Sequence, residues 1–194
     1  MQLQNMDAPI ISVITVCYNV ASTIEKTMLS VLNQTYKNLE YIIIDGNSTD
    51  GTVDIIKKYA ERLTFWISEP DKGIYDAMNK GIVKATGKFL IFMNAGDQFL
   101  NEKVLSKCLP YFLQEIDVIS GIGYLSGQKW IPAKATDLSV AFFLKRSLNH
   151  QATFINRKLF QDNLYRTDLK IVGDSVFFFQ ALIMDNASYV DIPI

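Results

Sequence analysis

The chain has 194 residues, 49% hydrophobic and 20% charged, which suits one domain with a sizeable core. Nineteen lysines and arginines nearly balance twenty aspartates and glutamates, so no global basic field points to a nucleic-acid partner. Cys17 and Cys108 lie far apart without metal-type spacing and read as reduced core residues of a cytoplasmic protein. IISVITVCY (Ile10 to Tyr18) is a nearly continuous β-branched run, as a strand buried on both faces requires. ASTIEKTMLSVLNQ follows with Ile24, Met28, Leu29 and Leu32 at helical spacing, and LEYIIID is a second buried strand ending at Asp45. TVDIIKKYAERL predicts a second helix, with Asp50 placed to cap its start. TFWISE, IYDAMNKGIVKA and KFLIFM predict a third strand, a third helix and a fourth strand. NEKVLSKCLPYFL predicts a helix whose end Pro110 disturbs.

This alternation predicts an α/β domain: a mostly parallel central sheet with helices on both faces. Beyond Asp117 the rhythm is mixed, with DVISGIGYL, KWIP, ATFIN and ASYVDIPI as strands and SVFFFQALIMD as a helix. The N-terminal MQLQNMDAP has neither the basic start nor the apolar core of an export signal. The densest apolar window, VFFFQALIM, falls short of the ~20 residues a membrane span needs.

Each first-half strand ends in a polar cluster: Tyr18-Asn19, DGNSTDGT (45–52), EPDKG (69–73) and NAGD (94–97). In a parallel sheet these four share the edge beyond the carboxyl ends of the strands, where open α/β sheets bind ligands. Taken singly, Asp50 is also a helix cap, Gly46 and Gly51 turn residues, and Asp71-Lys72-Gly73 and Asp97 ordinary turns. Their convergence favours a site. The dinucleotide fingerprint G-x-G-x-x-G and the phosphate loop G-x-x-x-x-G-K-[ST] are both missing. DGNSTDGT is not an EF-hand, because its glycine falls one position late and Ile56 replaces the bidentate glutamate. Asn47 stands where an aspartyl phosphatase needs a second aspartate.

The stretches PIISVITVCYNVASTIEKTMLSVLNQTYKNLEYIIIDGNSTDGT and EPDKGIYDAMNKGIVKATGKFLIFMNAGD resemble family 2 glycosyltransferases, inverting enzymes of GT-A fold. NHQATFI and VGDSV resemble the acceptor half of the same family. The resemblance implies one domain over residues 9–194, with a nucleotide-sugar half (9–100) and an acceptor half (101–194) shortened at its C-terminus. It implies nucleotide-sugar contacts at Thr15, Tyr18, Asn19, Asp45, Gly46, Asp50, Asp71, Lys72 and Asn79, Asp45 being the residue that reads the base. Asn94, Ala95 and Gly96 take the place of the family's D-x-D, with Asn94 on a ribose hydroxyl and Asp97 on a Mn2+ or Mg2+ ion. Asp174 matches the catalytic aspartate, which takes the acceptor's proton, and partial burial is expected to raise its pKa. His150 matches a position near the diphosphate or the acceptor. From the residues alone, a helix cap is the rival role for Asp174 and His150 reads as structural, while Trp130 reads as a core residue, with stacking on a sugar ring as its alternative.

The implied substrate is a nucleoside-diphosphate sugar, UDP-linked by family habit. The implied acceptor is a saccharide or a lipid-linked glycan at the inner face of the membrane, in cell-surface polysaccharide synthesis. LSVAFFLKRS (Leu138 to Ser147) fits either an interfacial helix or a buried one with a charged end. Gly96 and Val176 stand where many members carry acids. That departure fits the alternative of a non-catalytic nucleotide-sugar-binding partner subunit.

Overall fold

The run Ile11–Cys17 forms β1 at the centre of a sheet, with all seven residues buried. The computed structural model describes residues 8–194, so the leader reading of MQLQNMD lies outside the described residues. Strand β2 (Leu39–Asp45) pairs with β1 in parallel along its full length, and β3 (Phe65–Ser68) extends the sheet beyond β2. On the other side, β4 (Phe89–Phe92) pairs with β1, also in parallel. Side chains alternate between two cores, as the pleat dictates. Ile14 and Val16 join Ile42, Ile44 and Phe92 on one face, while Ile11, Val13 and Cys17 join Ile43, Phe89 and Ile91 on the other.

Helix α3 (Ile74–Lys84) covers the first face through Tyr75, Met78 and Ile82. Helices α1 (Ile24–Leu32), α2 (Thr52–Lys58) and α4 (Val104–Phe112) cover the second through Ile24, Met28, Ile56, Leu105 and Phe112. Two-sided burial explains why the strands carry unbroken apolar runs. Helix α3 lies so close to β1 that a Cβ at Gly81 would sit 2.5 Å from Ile14 Cγ2. Cys17 and Cys108 are free and buried.

The second half departs from the sequence reading in several places. The expected strand 117–125 breaks after β5 (Val118–Ser120), and β6 (Gly123–Leu125) leaves to form a separate hairpin with β7 (Gln128–Trp130). Ser126 and Gly127 both have positive φ, 50° and 79°, as a tight two-residue hairpin turn requires. The expected apolar helix at 138–147 is a single turn, α5 (Val140–Phe143). Leu144 beyond it is 82% exposed, so the segment is not a buried helix. Strand β8 (Thr153–Asn156) runs antiparallel between β4 and β5, and β9 (Tyr189–Asp191) closes the edge. Helix α6 (Gly173–Phe179) packs on the α3 face and passes into a π-helical turn at 180–184, where one continuous helix was expected. The sheet order is β3-β2-β1-β4-β8-β5-β9. The four first-half strands are all parallel and therefore bring their polar ends to one edge.

The opposite edge is tied by Glu40, which is 7% exposed. Its carboxylate accepts from the Ser12 hydroxyl, the Thr86 amide and hydroxyl, and the Gly87 amide. Burial alone would raise its pKa, but these donors outweigh it and hold the group below the ordinary glutamate value. A folded pKa below the unfolded one adds stability above the ordinary range, and that stability is lost as pH falls through the folded value. Glu40→Ala is expected to cost about 3 kcal/mol at pH 7, because the buried Gly87 amide, the Thr86 amide and two hydroxyls lose their acceptor. Urea denaturation at pH 7 and pH 4 checks this, the gap between variant and wild type narrowing at the lower pH.

Candidate active site

The first loop and the loop after β2 are laced together. Asn19, with φ 51°, accepts from the Thr49 amide at 2.9 Å and donates its own N–H to Ser48 Oγ at 2.7 Å. Asp50 accepts from the Ala21 amide at 2.9 Å, and from the Thr52 amide and hydroxyl at 3.0 and 2.6 Å. It thus serves the start of α2 from one position before Gly51, whose φ is 99°.

Three residues implied as nucleotide contacts are turned to other uses. Asp45 has no exposed surface: its carboxylate accepts from the Ser48 amide (2.9 Å), the Ser48 hydroxyl (2.5 Å) and the Ser68 hydroxyl (2.6 Å). It braces the loop and is not open to a base. Thr15 is fully buried, its hydroxyl shared between the Met93 carbonyl (2.7 Å) and the Tyr41 hydroxyl (2.9 Å). The Asn79 side chain bonds both the N–H and the C=O of Tyr165, at 2.9 and 2.8 Å, and holds that later loop against α3.

What remains open at this end is a platform of Tyr18, Gly46 and Asp71. Tyr18 is 63% exposed. Asp71 lies directly over Gly46, where an added Cβ would meet its Oδ2 at 2.5 Å and the Tyr18 ring at 3.3 Å. Asp71 Oδ1 accepts from the Gly73 amide at 2.8 Å. An aromatic face beside a carboxylate oxygen suits a nucleobase, with stacking and one acceptor for a ring N–H. Lys72 is exposed beside it, its own amide donating to Asp76 at 3.0 Å.

The other end of the edge opens into a cavity of about 800 Å³, lined among others by Gly96, Asp97, His150 and Asp174. Such a volume suits a drug-sized ligand. The NAGD segment forms a turn, and its Gly96 and Asp97 line the cavity. Ala95 N donates to Val16 O at 3.3 Å, Gly96 (φ 108°) donates its N–H to the Thr27 hydroxyl at 2.9 Å, and Asp97 donates to Asn94 O at 2.9 Å. The turn delivers Asp97 to the cavity wall. Burial pushes the Asp97 carboxyl up, against the attraction of His150 and a bond from Gln151.

Asp174 is held from two sides. His150 Nδ1 lies 3.0 Å from Oδ2, and the Tyr75 hydroxyl lies 2.9 Å from Oδ1 and 2.8 Å from the Ile171 carbonyl. Burial would raise Asp174, as the sequence suggests. Hydrogen bonds and charge from His150, with the bond from Tyr75, overturn that expectation and hold it below the ordinary aspartate value. Nδ1 faces a carboxylate and donates to it, while Nε2 lies 3.3 Å from Asn94 Nδ2, from which it accepts when the ring is neutral. Asn94 Oδ1 is left buried without a partner, an acceptor available to a ligand hydroxyl.

Tyr75 and Gly173 were not visible as site residues. Tyr75 falls on the apolar stripe of α3 and reads as core. Only the structure shows its hydroxyl reaching Asp174 and its ring so close to Gly173 that a Cβ there would meet it at 2.8 Å. Trp130 is also corrected: it is 41% exposed and lines the cavity. Tyr75→Phe removes one donor and is expected to raise the Asp174 pKa, read from its carboxyl 13C shift in an NMR titration. An unchanged titration would show that the bond does not act on Asp174.

For a divalent cation the cavity offers little on its own. Among the described residues no group of three or more His, Cys, Asp or Glu side chains converges to hold a metal. Asp97 brings one carboxylate, which fits a hard cation that draws its other oxygens from a bound diphosphate and water.

Comparison with known proteins shows the family and the fold. A "PGL/p-HBAD biosynthesis glycosyltransferase" of Mycobacterium bovis (strain BCG / Pasteur 1173P2) is 34% identical over 161 residues, covering 80% of this chain and 62% of the relative. The chain thus spans about three fifths of that relative's length. Two solved structures share the fold at low sequence identity. S. aureus TarS 1-349 in complex with UDP-GlcNAc has a TM-score of 0.73 at 21% identity, over 95% of this chain and 59% of that one. The mannosyltransferase PcManGT of Pyrobaculum calidifontis with GDP-Man and Mn2+ has 0.77 at 21% identity, over 97% and 56%. Residues 12–185 match the profile of Glycosyl transferase family 2, nearly the whole described chain, and the protein belongs to that family.

Proposed function

We propose that this cavity transfers a sugar, with inversion, from a nucleoside-diphosphate sugar to a hydroxyl of a saccharide or lipid-linked acceptor in cell-surface glycan synthesis. The observation that carries the reading is that Asp97, His150 and Asp174 line one cavity at the carboxyl edge of the sheet, the edge that also carries the Tyr18–Gly46–Asp71 platform. The base rests on the platform, Asn19 and Asp50 fix the loops around it, and the diphosphate reaches Asp97. Asn94 Oδ1 accepts from a sugar or ribose hydroxyl. A divalent ion held by Asp97 would neutralise the charge of the departing diphosphate.

Asp174 acts as the base. The acceptor oxygen attacks the anomeric carbon as the bond to the diphosphate breaks, the electron pair leaves with the diphosphate, and the hydroxyl proton passes to Asp174. A carboxylate offers about four lone-pair sites. His150, Tyr75 and the Ser175 amide occupy three of them, leaving room for one acceptor hydroxyl. The named complexes of the two structural neighbours, with UDP-GlcNAc and with GDP-Man plus Mn2+, support a nucleotide-sugar donor and a role for a cation. The relative's name supports glycan synthesis. On this reading residues 9–100 serve the donor and 101–194 the acceptor. No described helix is long and apolar enough to cross a membrane.

The test is nucleotide release from UDP- and GDP-linked hexoses and N-acetylhexosamines, with and without Mn2+. Release from one donor, accelerated by Mn2+, is expected. Donor binding without release, under every acceptor condition tried, would instead make the chain a non-catalytic partner.

A further inference from the structure

A second cavity of about 700 Å³ adjoins the first and is unlike it in charge. Lys129, Lys134, Lys145 and Arg146 line it, with Asp137 as its one acid. Four cations against one carboxylate leave three net positive charges around one hollow, in a chain whose formal net charge is −1. None of the four forms an ion pair within the described residues, as is true of most of the chain's nineteen lysines and arginines. Like charges gathered without partners repel one another, a cost that an anionic ligand removes.

Two further features shape the place. The Arg146 guanidinium sits over the Phe142 ring at 5.4 Å, which fixes its direction. Ser147 lines both cavities, and its hydroxyl is buried without a partner. Lys129, Trp130 and Asn149 also line both, so one molecule can reach from His150 and Asp174 into the basic hollow.

We propose that this second cavity is an acceptor subsite that binds a phosphate or diphosphate group carried by the acceptor, leaving its free hydroxyl beside Asp174. Phosphate oxygens suit an arginine fork, ammonium groups and a hydroxyl donor together. The proposal rests on the glycosyl-transfer reading for the identity of the acceptor, and on the cations alone for the chemistry of the ligand.

The experiment is calorimetric titration of the whole chain with inorganic pyrophosphate, alone and after saturation with UDP or GDP, in the wild type, Lys145→Ala and Arg146→Ala. Both side chains are exposed, so the variants keep the fold. Pyrophosphate is expected to bind with nucleotide present, at least about tenfold more weakly in each variant. Geranyl diphosphate and glucose 6-phosphate then separate the sources. Tighter binding of the first points to a lipid-linked diphosphate, and of the second to a phosphorylated saccharide. Pyrophosphate that fails to bind, is wholly displaced by nucleotide, or binds both variants as tightly as wild type overturns the subsite. Failure of UDP and GDP to bind counts against the donor reading instead, while the variant titrations still decide the subsite.

Discussion

Asp174→Asn is expected to lower turnover by about 10²- to 10⁴-fold, the usual contribution of a positioned general base. Asparagine keeps the size of the side chain, and its carbonyl can still accept from Tyr75. Its amide would face the proton on His150 Nδ1, so the ring is expected to switch tautomer and accept there, donating from Nε2 towards a turned Asn94 amide. The fold survives, and the donor affinity is expected to stay near wild type, because the platform at Tyr18 and Asp71 is untouched. Only the proton acceptor is lost. Steady-state kinetics with the donor identified by nucleotide release separates the two parameters. Turnover near the wild-type rate would place the base elsewhere, with His150 the next group in the cavity.

Asp45→Ala is expected to destabilise the fold by about 3 kcal/mol, because one backbone amide and two hydroxyls lose a charged acceptor in a site with no exposure. The damage should spread. Ser48 also holds Asn19, so losing Asp45 loosens the first loop together with Gly46. Nucleotide affinity is therefore expected to fall along with stability, measured by urea denaturation and by UDP or GDP titration. Asp71→Asn, by contrast, is expected to weaken nucleotide binding with little change in stability, since its Oδ2 faces the open platform. Should Asp45→Ala keep full stability yet abolish nucleotide binding, Asp45 reads the base directly and the bracing role assigned to it is wrong.

The first half of the fold was legible because burial on two faces writes itself as uninterrupted β-branched runs, and IISVITVC and LEYIIID are such runs. The second half was not. Gly121-Ile122-Gly123 lies inside a largely apolar stretch, and nothing local shows that the chain leaves the sheet there to form a hairpin. The single turn α5 has the composition of a longer helix, yet it ends at Phe143 with Leu144 82% exposed. At the site, spacing placed the four polar clusters on one edge. It did not show which carboxylates find donors inside the protein. Asp45 meets Ser48 and Ser68 and is closed, whereas Asp71 takes the space left by Gly46 and stays open. The Asp174 pKa went the opposite way from the sequence expectation for the same reason: His150 and Tyr75 come from elements distant in sequence, and only folding brings them to it.

His150 is the chain's only histidine, so its ring signal reports on the cavity without ambiguity. Proton NMR of that resonance during titration with UDP or GDP is the direct measurement, first with Mg2+ and then with Mn2+. If the diphosphate lies between Asp97 and the His150–Asp174 pair, the Mg2+ complex shifts the signal and the paramagnetic Mn2+ complex broadens it away. A nucleotide that binds tightly and leaves the resonance sharp and unmoved would put the donor elsewhere on the protein.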